Sequence, residues 1–398
     1  MKKITPPIIP MSSPDLTESD REAVLSVFDN NYLSMGPQIE AFESAFKDFT
    51  GSRHALAVNS GTAGLHLCIR AAGIRPGDYV ITSPFSFVAS TNVILFEHAI
   101  PIFVDVDAKT GNIDPHLAAE AAHDLQKGGN AAQRWLPRRG VSDVNGKTGS
   151  LKAILPVDVF GQPADYDPIR KIADDFKIPI IEDSCEALGA EYKGRPSGTM
   201  GDYGVFAFYP NKQITTGEGG LIVTNDDKAA GFMRALRNQG RAPGDTWLQH
   251  THLGYNYRLD EMSAALGASQ MKRLSTLLPK RQQVADWYLE RLDEIGGVEV
   301  PYCAPSTTRS SWFVFVIRLA KEINRMEVAE RLSEKGIPVR PYFLPIHLQP
   351  YLVEQFGFKK GDYPTTEDLG ERGLAVPFSG VMTEDQVDQV CRILQSVL

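Results

Sequence analysis

Cysteine is scarce in this sequence, and the shortage excludes a disulfide-stapled protein and a zinc protein. The 398 residues include only four cysteines, which lie far apart along the chain. They are too few to staple a chain of this length, and their spacing fits no zinc motif, so we expect reduced thiols and no metal site. The four are Cys68, Cys185, Cys303 and Cys391.

Long apolar runs and blocks of one charge are also missing. No stretch reaches the roughly 18 apolar residues of a membrane span, and the opening MKKITPP lacks the apolar run of a signal peptide. The 41 basic and 49 acidic residues give a net charge of −8 without long single-sign blocks. This distribution offers no electrostatic surface for nucleic acid or an anionic membrane. We therefore expect a cytoplasmic protein that binds neither.

The hydrophobic residues, 42% of the chain, are enough for a large core and for two or three domains. Between Ala153 and Ala190, two apolar runs, ILPVDVF and IPIIED, flank a stretch with apolar residues at helical spacing. This pattern is typical of a β-α-β unit with buried parallel strands. Because similar alternation occurs earlier in the chain, we predict a layered α/β domain.

The pattern changes near residue 267, where we place a domain boundary. Residues 1–267 are predicted to form the large α/β domain, and residues 268–398 a smaller α+β domain. The smaller domain is expected to begin with one long helix over residues 268–295 and to end with a helix from Glu384.

Residues 126–149 are rich in Gly, Arg and Asn and show little periodicity, so we expect an inserted surface loop. Within it, Gly146-Lys147-Thr148 resembles the end of a phosphate-binding P-loop. That motif needs a glycine five residues before Gly146, and Val141 stands there. The sequence therefore disfavours a P-loop.

Asp183 is the first candidate for chemistry, because it ends the strand pattern IPIIED. Open α/β sheets bind ligands at the carboxyl edge of their strands. A carboxylate at that edge can hold a positively charged heterocyclic nitrogen. Taken alone, Asp183 is better explained as a helix N-cap, a position where aspartate is preferred, or as a loop charge.

The second candidate is the segment NSGTAGLHL, in which a strand ends at Asn59 and a helix begins with Ser60, Gly61 and Thr62. Free backbone N–H groups and the dipole at a helix start favour a phosphate. Simple capping by the hydroxyl groups explains the segment equally well.

Lys212 is the third candidate, in FAFYPNKQITTGEGG. It lies between a strand pattern and a glycine-rich turn with Gly217, Gly219 and Gly220. Lysines usually lie on surfaces, but this turn can carry the side chain into a cleft. A lysine held away from water can form a Schiff base.

Ordered motifs over nearly the whole chain resemble the DegT/DnrJ/StrS family of sugar aminotransferases that use pyridoxal 5′-phosphate (PLP). They include YLSMGPQIEAFESAF, NSGTAGLHL, GIRPGDYVITSPFSFVAST, EDSCEALGAEYKGRPSGTMGD, NKQITTGEGG, LGYNYRLDEMSAALG and HLQPY. The resemblance implies PLP-dependent transferase fold type I, as in aspartate aminotransferase. That fold has a large three-layer α/β domain with a mixed sheet and a smaller C-terminal α+β domain.

The resemblance also implies roles for individual residues. Lys212 matches the Schiff-base lysine, and Asp183 matches the carboxylate that keeps the pyridine nitrogen protonated. The family works as homodimers with shared sites. The other implied cofactor contacts are the amides of Gly61, Thr62 and Ala63 at the phosphate, Phe87 stacked on the ring, Glu186 near the phenolic oxygen, and Asn256 at the phosphate of a neighbouring subunit.

Three further positions are less specific. Arg258, in GYNYR, and His347, in PIHLQPY, are candidate contacts of the sugar or its diphosphate, although an ordinary interface role explains them at least as well. Many relatives carry a serine five residues before the lysine, where this chain has Ala207. One hydrogen bond to the phosphate is therefore expected to be missing or replaced.

The function implied is transfer of an amino group from glutamate to a nucleotide-linked keto-sugar in amino-sugar and polysaccharide biosynthesis. The turn NKQITTGEGG is more similar to members that aminate C4 than to those that aminate C3. A keto-cyclitol aminotransferase and a non-catalytic sensor that retains the fold stay open. A PLP-dependent sugar dehydratase is disfavoured, because such relatives replace the lysine with histidine and this chain has Lys212.

Overall fold

The computed structural model describes residues 9–140, 149–242 and 244–398; Gly146-Lys147-Thr148 therefore lies outside the described residues. Within these ranges, no helix is both long and apolar enough to cross a bilayer. The α-helices are α1 (Glu18–Leu25), α2 (Pro37–Thr50), α3 (Gly61–Ala71), α4 (Ala89–Phe96), α5 (Pro115–Lys127), α6 (Gly129–Gln133), α7 (Tyr166–Phe176), α8 (Asp227–Arg237), α9 (Glu261–Lys272), α10 (Leu274–Leu292), α11 (Arg325–Glu334), α12 (Pro350–Phe356), α13 (Pro364–Arg372) and α14 (Glu384–Val397). The strands are β1 (His54–Val58), β2 (Tyr79–Thr82), β3 (Ile100–Phe103), β4 (Leu151–Leu155), β5 (Ile181–Asp183), β6 (Glu191–Tyr192), β7 (Arg195–Pro196), β8 (Tyr203–Ala207), β9 (Gly220–Thr224), β10 (Val298–Glu299), β11 (Thr307–Arg309), β12 (Phe315–Leu319), β13 (Arg340–Pro341) and β14 (Gly373–Val376).

The central sheet is mixed and has the strand order β1-β9-β8-β5-β4-β2-β3. Parallel bridges from Ile154 to Ile180 and from Val157 to Asp183 join its two halves. Strand β9 is antiparallel to both neighbours, whereas the other adjacent strands are parallel. The carboxyl ends of β1, β5 and β8 therefore meet the amino end of β9 at one edge of the sheet.

Helices cover both faces of this sheet. In β1, Leu56 and Val58 pack on the side of α3 and α8, whereas Ala55 and Ala57 pack on the side of α2 and α9. At the β2, β3 and β4 end, α5 and α7 cover the second face. Strands buried on both faces need apolar residues at consecutive positions, which explains the uninterrupted runs in the sequence. The predicted three-layer α/β fold with a mixed sheet is confirmed.

A second, antiparallel sheet in the order β10-β12-β14-β13 lies in the C-terminal part. Helices α10, α11 and α14 pack on it. Ile9 belongs to the same apolar cluster, and the Phe378 N–H donates to the Met11 carbonyl at 2.9 Å. Residues 9–11, which we assigned to the large domain, therefore pack on the C-terminal part.

The helix predicted over residues 268–295 is two helices, α9 and α10, with Arg273 between them. Helix α9 packs against α2 in the core of the central sheet, whereas α10 from Val284 onward packs on the C-terminal sheet. Because one straight helix cannot serve both cores, the chain turns at Arg273. Helix α9 also runs through the boundary that we placed at residue 267.

The segment predicted as a surface loop, residues 126–149, is partly helical. Helix α5 continues to Lys127, and α6 follows at Gly129–Gln133. Beyond α6, the Arg138 guanidinium pairs with the Asp362 carboxylate at 2.7 Å. The prediction of a loop was wrong for α6, since a helix of five residues is too short for an apolar stripe to repeat.

Candidate active site

Lys212 lies on the turn between β8 and β9, with its side chain directed inward. The side chain is only 12% exposed, and its Nζ is 3.8 Å from Glu186 Oε1. The same Nζ lies 3.7 Å from the centroid of the Phe313 ring. The turn is closed by the Lys212 N–H, which donates to the Tyr209 carbonyl at 2.9 Å. The lysine is therefore held between a carboxylate and an aromatic face.

Asp183 ends β5 and is 5% exposed. Its Oδ1 accepts a hydrogen bond from the Cys185 N–H at 3.2 Å. Burial raises the pKa of Asp183, although the bond from Cys185 and the charge of Lys212 oppose the rise. Among the described residues, no lysine or arginine forms an ion pair with Asp183. A buried carboxylate without a cationic partner is costly, so the position favours a cationic ligand.

Helix α3 begins at the same edge of the sheet. Ser60 is its N-cap, and the Ser60 Oγ accepts from the Ala63 N–H at 3.0 Å. Within the described ranges, the Gly61 and Thr62 N–H groups have no such acceptor and are the donors available to a phosphate. Of the three amides that the sequence indicated, that of Ala63 bonds to its own cap in this structure, and those of Gly61 and Thr62 are free.

Gly61 is packed too closely to carry a side chain. A Cβ added there would lie 2.7 Å from the Ala207 Cβ and 2.9 Å from the Cys185 Sγ. The start of α3 is thereby pressed against the ends of β5 and β8. This contact brings the two free amides to the strand ends that carry Asp183 and lead to Lys212.

Lys212, Asp183, Gly61 and Thr62 line one cavity of about 520 Å³. Phe87 and Glu186, which the sequence also indicated, are on its wall. Glu186 is held by the Phe160 N–H, which donates to its Oε2 at 2.9 Å. Burial raises the pKa of Glu186, and the Lys212 charge acts in the opposite direction. The structure therefore brings together candidates from four separate segments of the chain.

Sequence reasoning missed much of the rest of the wall. Phe313, Tyr342 and Phe343 come from the C-terminal part of the chain, where strand-like apolar patterns do not separate wall residues from core residues. Glu218, in the glycine-rich turn, also reaches the cavity. The other wall residues are Ser60, Leu65, Ser86, Ala89, Val157, Cys185, Ala207, Tyr209, Asn211 and Gly219.

Three other predicted site residues lie outside this wall. Asn256 is exposed, and its carbonyl accepts from Asn59 Nδ2 at 3.4 Å. Arg258 lines a separate cavity of about 150 Å³ and donates to Asn238 Oδ1 at 3.0 Å.

His347 has 0% exposure, and its Nε2 is 3.0 Å from Glu367 Oε1. A side chain without exposed surface cannot touch a sugar. The predicted substrate contact of His347 is therefore corrected to a structural role.

These features define a class of enzyme. PLP needs an amine for its aldehyde, a carboxylate for its pyridine nitrogen and donors for its phosphate. The cavity provides these groups as Lys212, Asp183 and the two free amides of α3. Among the described residues, no group of His, Cys, Asp and Glu is arranged to hold a metal ion. The site therefore fits PLP.

Comparison with known proteins agrees with this class. The model of the DegT/DnrJ/EryC1/StrS aminotransferase family matches residues 14–395. GDP-perosamine synthase of Caulobacter vibrioides is 36% identical over 396 residues, covering 98% of this chain and 99% of that protein.

Solved structures give the same result. A putative sugar aminotransferase of Streptococcus pneumoniae in its PLP form superimposes with a TM-score of 0.85 at 25% identity, covering 98% of each chain. The E. coli GDP-4-keto-6-deoxy-D-mannose-3-dehydratase with bound hydrated PLP has a TM-score of 0.84 at 26% identity. It covers 98% of this chain and 100% of its own.

The chain belongs to the DegT/DnrJ/EryC1/StrS aminotransferase family. It is a PLP-dependent aminotransferase, and the predicted family, enzyme class and cofactor are confirmed.

Proposed function

We propose that this enzyme transfers an amino group from glutamate to C4 of a nucleotide-linked 4-keto-6-deoxyhexose. The observation that carries the proposal is the single cavity shared by Lys212, Asp183 and the start of α3. The names of two relatives, GDP-perosamine synthase and GDP-4-keto-6-deoxy-D-mannose-3-dehydratase, make a GDP-linked acceptor the first to test. The preference for C4 rests on the turn NKQITTGEGG after β8.

Each residue of the cavity has a task in this proposal. Asp183 holds a proton on the pyridine nitrogen, whose positive charge in turn keeps the buried carboxylate ionised. The amides of Gly61 and Thr62 bind the phosphate, and the Phe87 ring covers one face of the heterocycle. When bound, PLP supplies an electron sink for the charge that develops at the α-carbon of the donor.

Lys212 moves the proton. With its amine free, Lys212 Nζ would take the proton from the donor's α-carbon as a base and give it up again within the cavity as an acid. Glu186 and the Phe313 ring, at 3.8 Å and 3.7 Å from Nζ, restrict where the amine can go. In the second half-reaction the proton transfers run in reverse at the sugar carbon.

The sugar is proposed to enter past Tyr209, Asn211 and Glu218 on the cavity wall. Asn211 Oδ1 is buried and has no hydrogen-bond partner among the described residues. A small rotation of the side chain toward the cavity would expose this acceptor to a donor such as a sugar hydroxyl, which would satisfy it. Asn211→Ala is therefore expected to raise the KM for the sugar more than the KM for glutamate.

A homodimer is part of the proposal. Exposed Asn256 is proposed to reach the phosphate in the neighbouring subunit, as the family resemblance implies. Large apolar side chains are exposed in the segments before α2 and α9, including Met35 at 58% and Trp247 at 79%. Light scattering should show two copies per particle. Asn256→Ala should weaken PLP binding without dissociating them.

Turnover and colour test the proposal together. Purified protein with PLP should be yellow, and glutamate with a GDP-linked 4-keto-6-deoxyhexose should give the 4-amino sugar by mass spectrometry. Lys212→Ala should lose both properties and stay folded, whereas Lys228→Ala, at a surface position of α8, should keep both. A colourless protein that ignores PLP would refute the proposal. A yellow protein that aminates only keto-cyclitols, or nothing, would refute the sugar acceptor.

A further inference from the structure

Arg281 of α10 is a buried cation that the proposed chemistry does not use. Its residue exposure is 5%, and among the described residues it has no carboxylate partner. Instead, the guanidinium donates only to main-chain carbonyls. These are Trp312 O at 2.8 Å, Phe313 O at 2.8 Å, Asn211 O at 3.4 Å and Lys212 O at 3.5 Å.

Burial lowers the pKa of Arg281 to about 10, so the group is still charged at neutral pH. A buried charge is costly unless its hydrogen bonds are satisfied. The Phe378 ring, 5.2 Å from the guanidinium carbon, gives a further favourable contact. The arrangement therefore gives the charge several weak partners in place of one strong anion.

The carbonyls belong to two segments that are about 100 residues apart in the chain and adjacent in the site. One segment carries Lys212, and the other carries Phe313, whose ring faces the lysine Nζ. A guanidinium has five N–H donors in a fixed planar fork and can hold both segments at once. A lysine ammonium is a single point and cannot span both.

The two sets of bonds differ in length. Those to Trp312 and Phe313 have the usual N–H···O distance, whereas those to Asn211 and Lys212 are near the upper limit. The aromatic segment is thus held firmly and the lysine segment loosely.

We propose that Arg281 is a positioning residue that sets the Lys212 turn against the Phe313 ring and so aims the lysine amine into the cavity. This inference rests on the proposed role of Lys212. Arg281 itself does not touch the ligand, because its donors are turned to the main chain behind the cavity wall.

Arg281→Met and Arg281→Lys test the inference, with Arg325→Met as the matched control. Arg325 also donates to main-chain carbonyls, those of Gly370 and Gly373, but does not contact the lysine turn. Each protein would be loaded with PLP and treated with borohydride, and the rate of trapping at Lys212 measured by peptide mass. The pH at which the yellow colour of the lysine-bound cofactor is half lost gives a second readout.

Arg281→Met should trap PLP about tenfold more slowly than wild type, the effect of losing charge-assisted hydrogen bonds that align the amine. The pH at which its yellow colour is half lost should differ from that of wild type. Arg281→Lys should recover part of the trapping rate. Arg325→Met should match wild type in both readouts. If Arg281→Met does not fold, the same comparison is made with Arg281→Lys, which keeps the charge but not the fork.

Wild-type trapping rates and colour midpoints in a folded Arg281 variant would overturn the inference. A wild-type protein without colour would instead overturn the proposed function, so the two failures are distinguishable.

Discussion

Two neighbouring carboxylates of β5, Glu182 and Asp183, are both buried but differ in the number of hydrogen bonds they accept. Glu182 accepts from the N–H groups of Met200 and Gly201, both at 2.9 Å, and from that of Gly198. Asp183, on the opposite face, accepts a single backbone N–H and opens into the cavity. The protein supplies the hydrogen-bond donors that the Glu182 carboxylate needs, whereas it fills only part of the bonding capacity of Asp183. A buried acid with incomplete bonding therefore indicates a ligand, whereas a fully bonded one indicates a structural role.

The largest expected effect is a loss of turnover when the charge of Asp183, the carboxylate that faces the cavity, is removed. Asp183→Asn keeps the shape but cannot hold a proton on the pyridine nitrogen, so turnover should fall about a thousandfold, as when a charge-stabilising group is lost. Steady-state assays with glutamate measure this, and Asp174→Asn on the surface of α7 is the control. Near-normal turnover in Asp183→Asn would remove Asp183 from the proposed chemistry.

For Glu182, the carboxylate with a structural role, we expect a large effect on stability and a small effect on PLP binding. Glu182→Ala leaves two buried N–H groups, those of Gly198 and Met200, and the part-buried N–H of Gly201 without an acceptor. The free energy of unfolding should fall by about 3 kcal/mol or more, whereas the molecules that stay folded should still bind PLP. Denaturant unfolding of the cofactor-free protein checks the first part and absorbance the second. A stable Glu182→Ala protein would contradict the structural assignment.

A smaller effect, tighter binding of PLP, is expected from adding a hydrogen-bond donor at position 207 in the cavity wall. Ala207 lines the cavity beside Gly61, and a serine there can donate to the phosphate. Ala207→Ser should lower the Kd of PLP about tenfold, the effect of one charge-assisted hydrogen bond. Equilibrium dialysis compares it with Ala207→Cys, which has similar size and a weaker donor. Equal Kd values for the two would show that the hydroxyl does not reach the phosphate.

The smallest expected effect is a pH dependence. Because burial raises the pKa of Asp183, the folded cofactor-free protein binds this proton more tightly than the unfolded chain. Between the two pKa values, the stability contributed by this group falls as the pH rises. The unfolding free energy of Asp183→Asn relative to wild type should therefore increase as the pH rises from the ordinary aspartate pKa toward the raised pKa of the folded protein. Urea unfolding at several pH values tests this, and a relative stability that is constant or falls with pH would contradict it.

The sequence predicted the parts of the site that are carried by local patterns. Asp183 was found because a buried parallel strand delivers its last residue to the sheet edge, and Lys212 because a glycine-rich turn follows a strand. The alternation of side chains along a strand also places Glu182 and Asp183 on opposite faces. What the sequence could not tell is which of the two would lack partners, since the amides around Glu182 come from a separate turn.

Partners that are distant in the chain account for the errors. For His347, in a motif with two prolines, the sequence leaves a substrate contact and an interface role open, because its partner Glu367 lies on another helix and is not part of the local pattern. The sequence pattern does not distinguish Arg281 from other arginines, because an arginine on a helix is usually on the surface. Its carbonyl partners belong to two segments that come together only when the C-terminal part folds against the lysine turn.

The central claim is that Lys212 is the amine that holds PLP in the cavity it shares with Asp183. Borohydride reduction of the PLP-loaded protein followed by peptide mass spectrometry tests it directly. We expect the mass of the reduced cofactor on the peptide containing Lys212, and none on other lysines. Bound PLP that is trapped elsewhere, or that is not trapped at all in a yellow protein, would contradict the account.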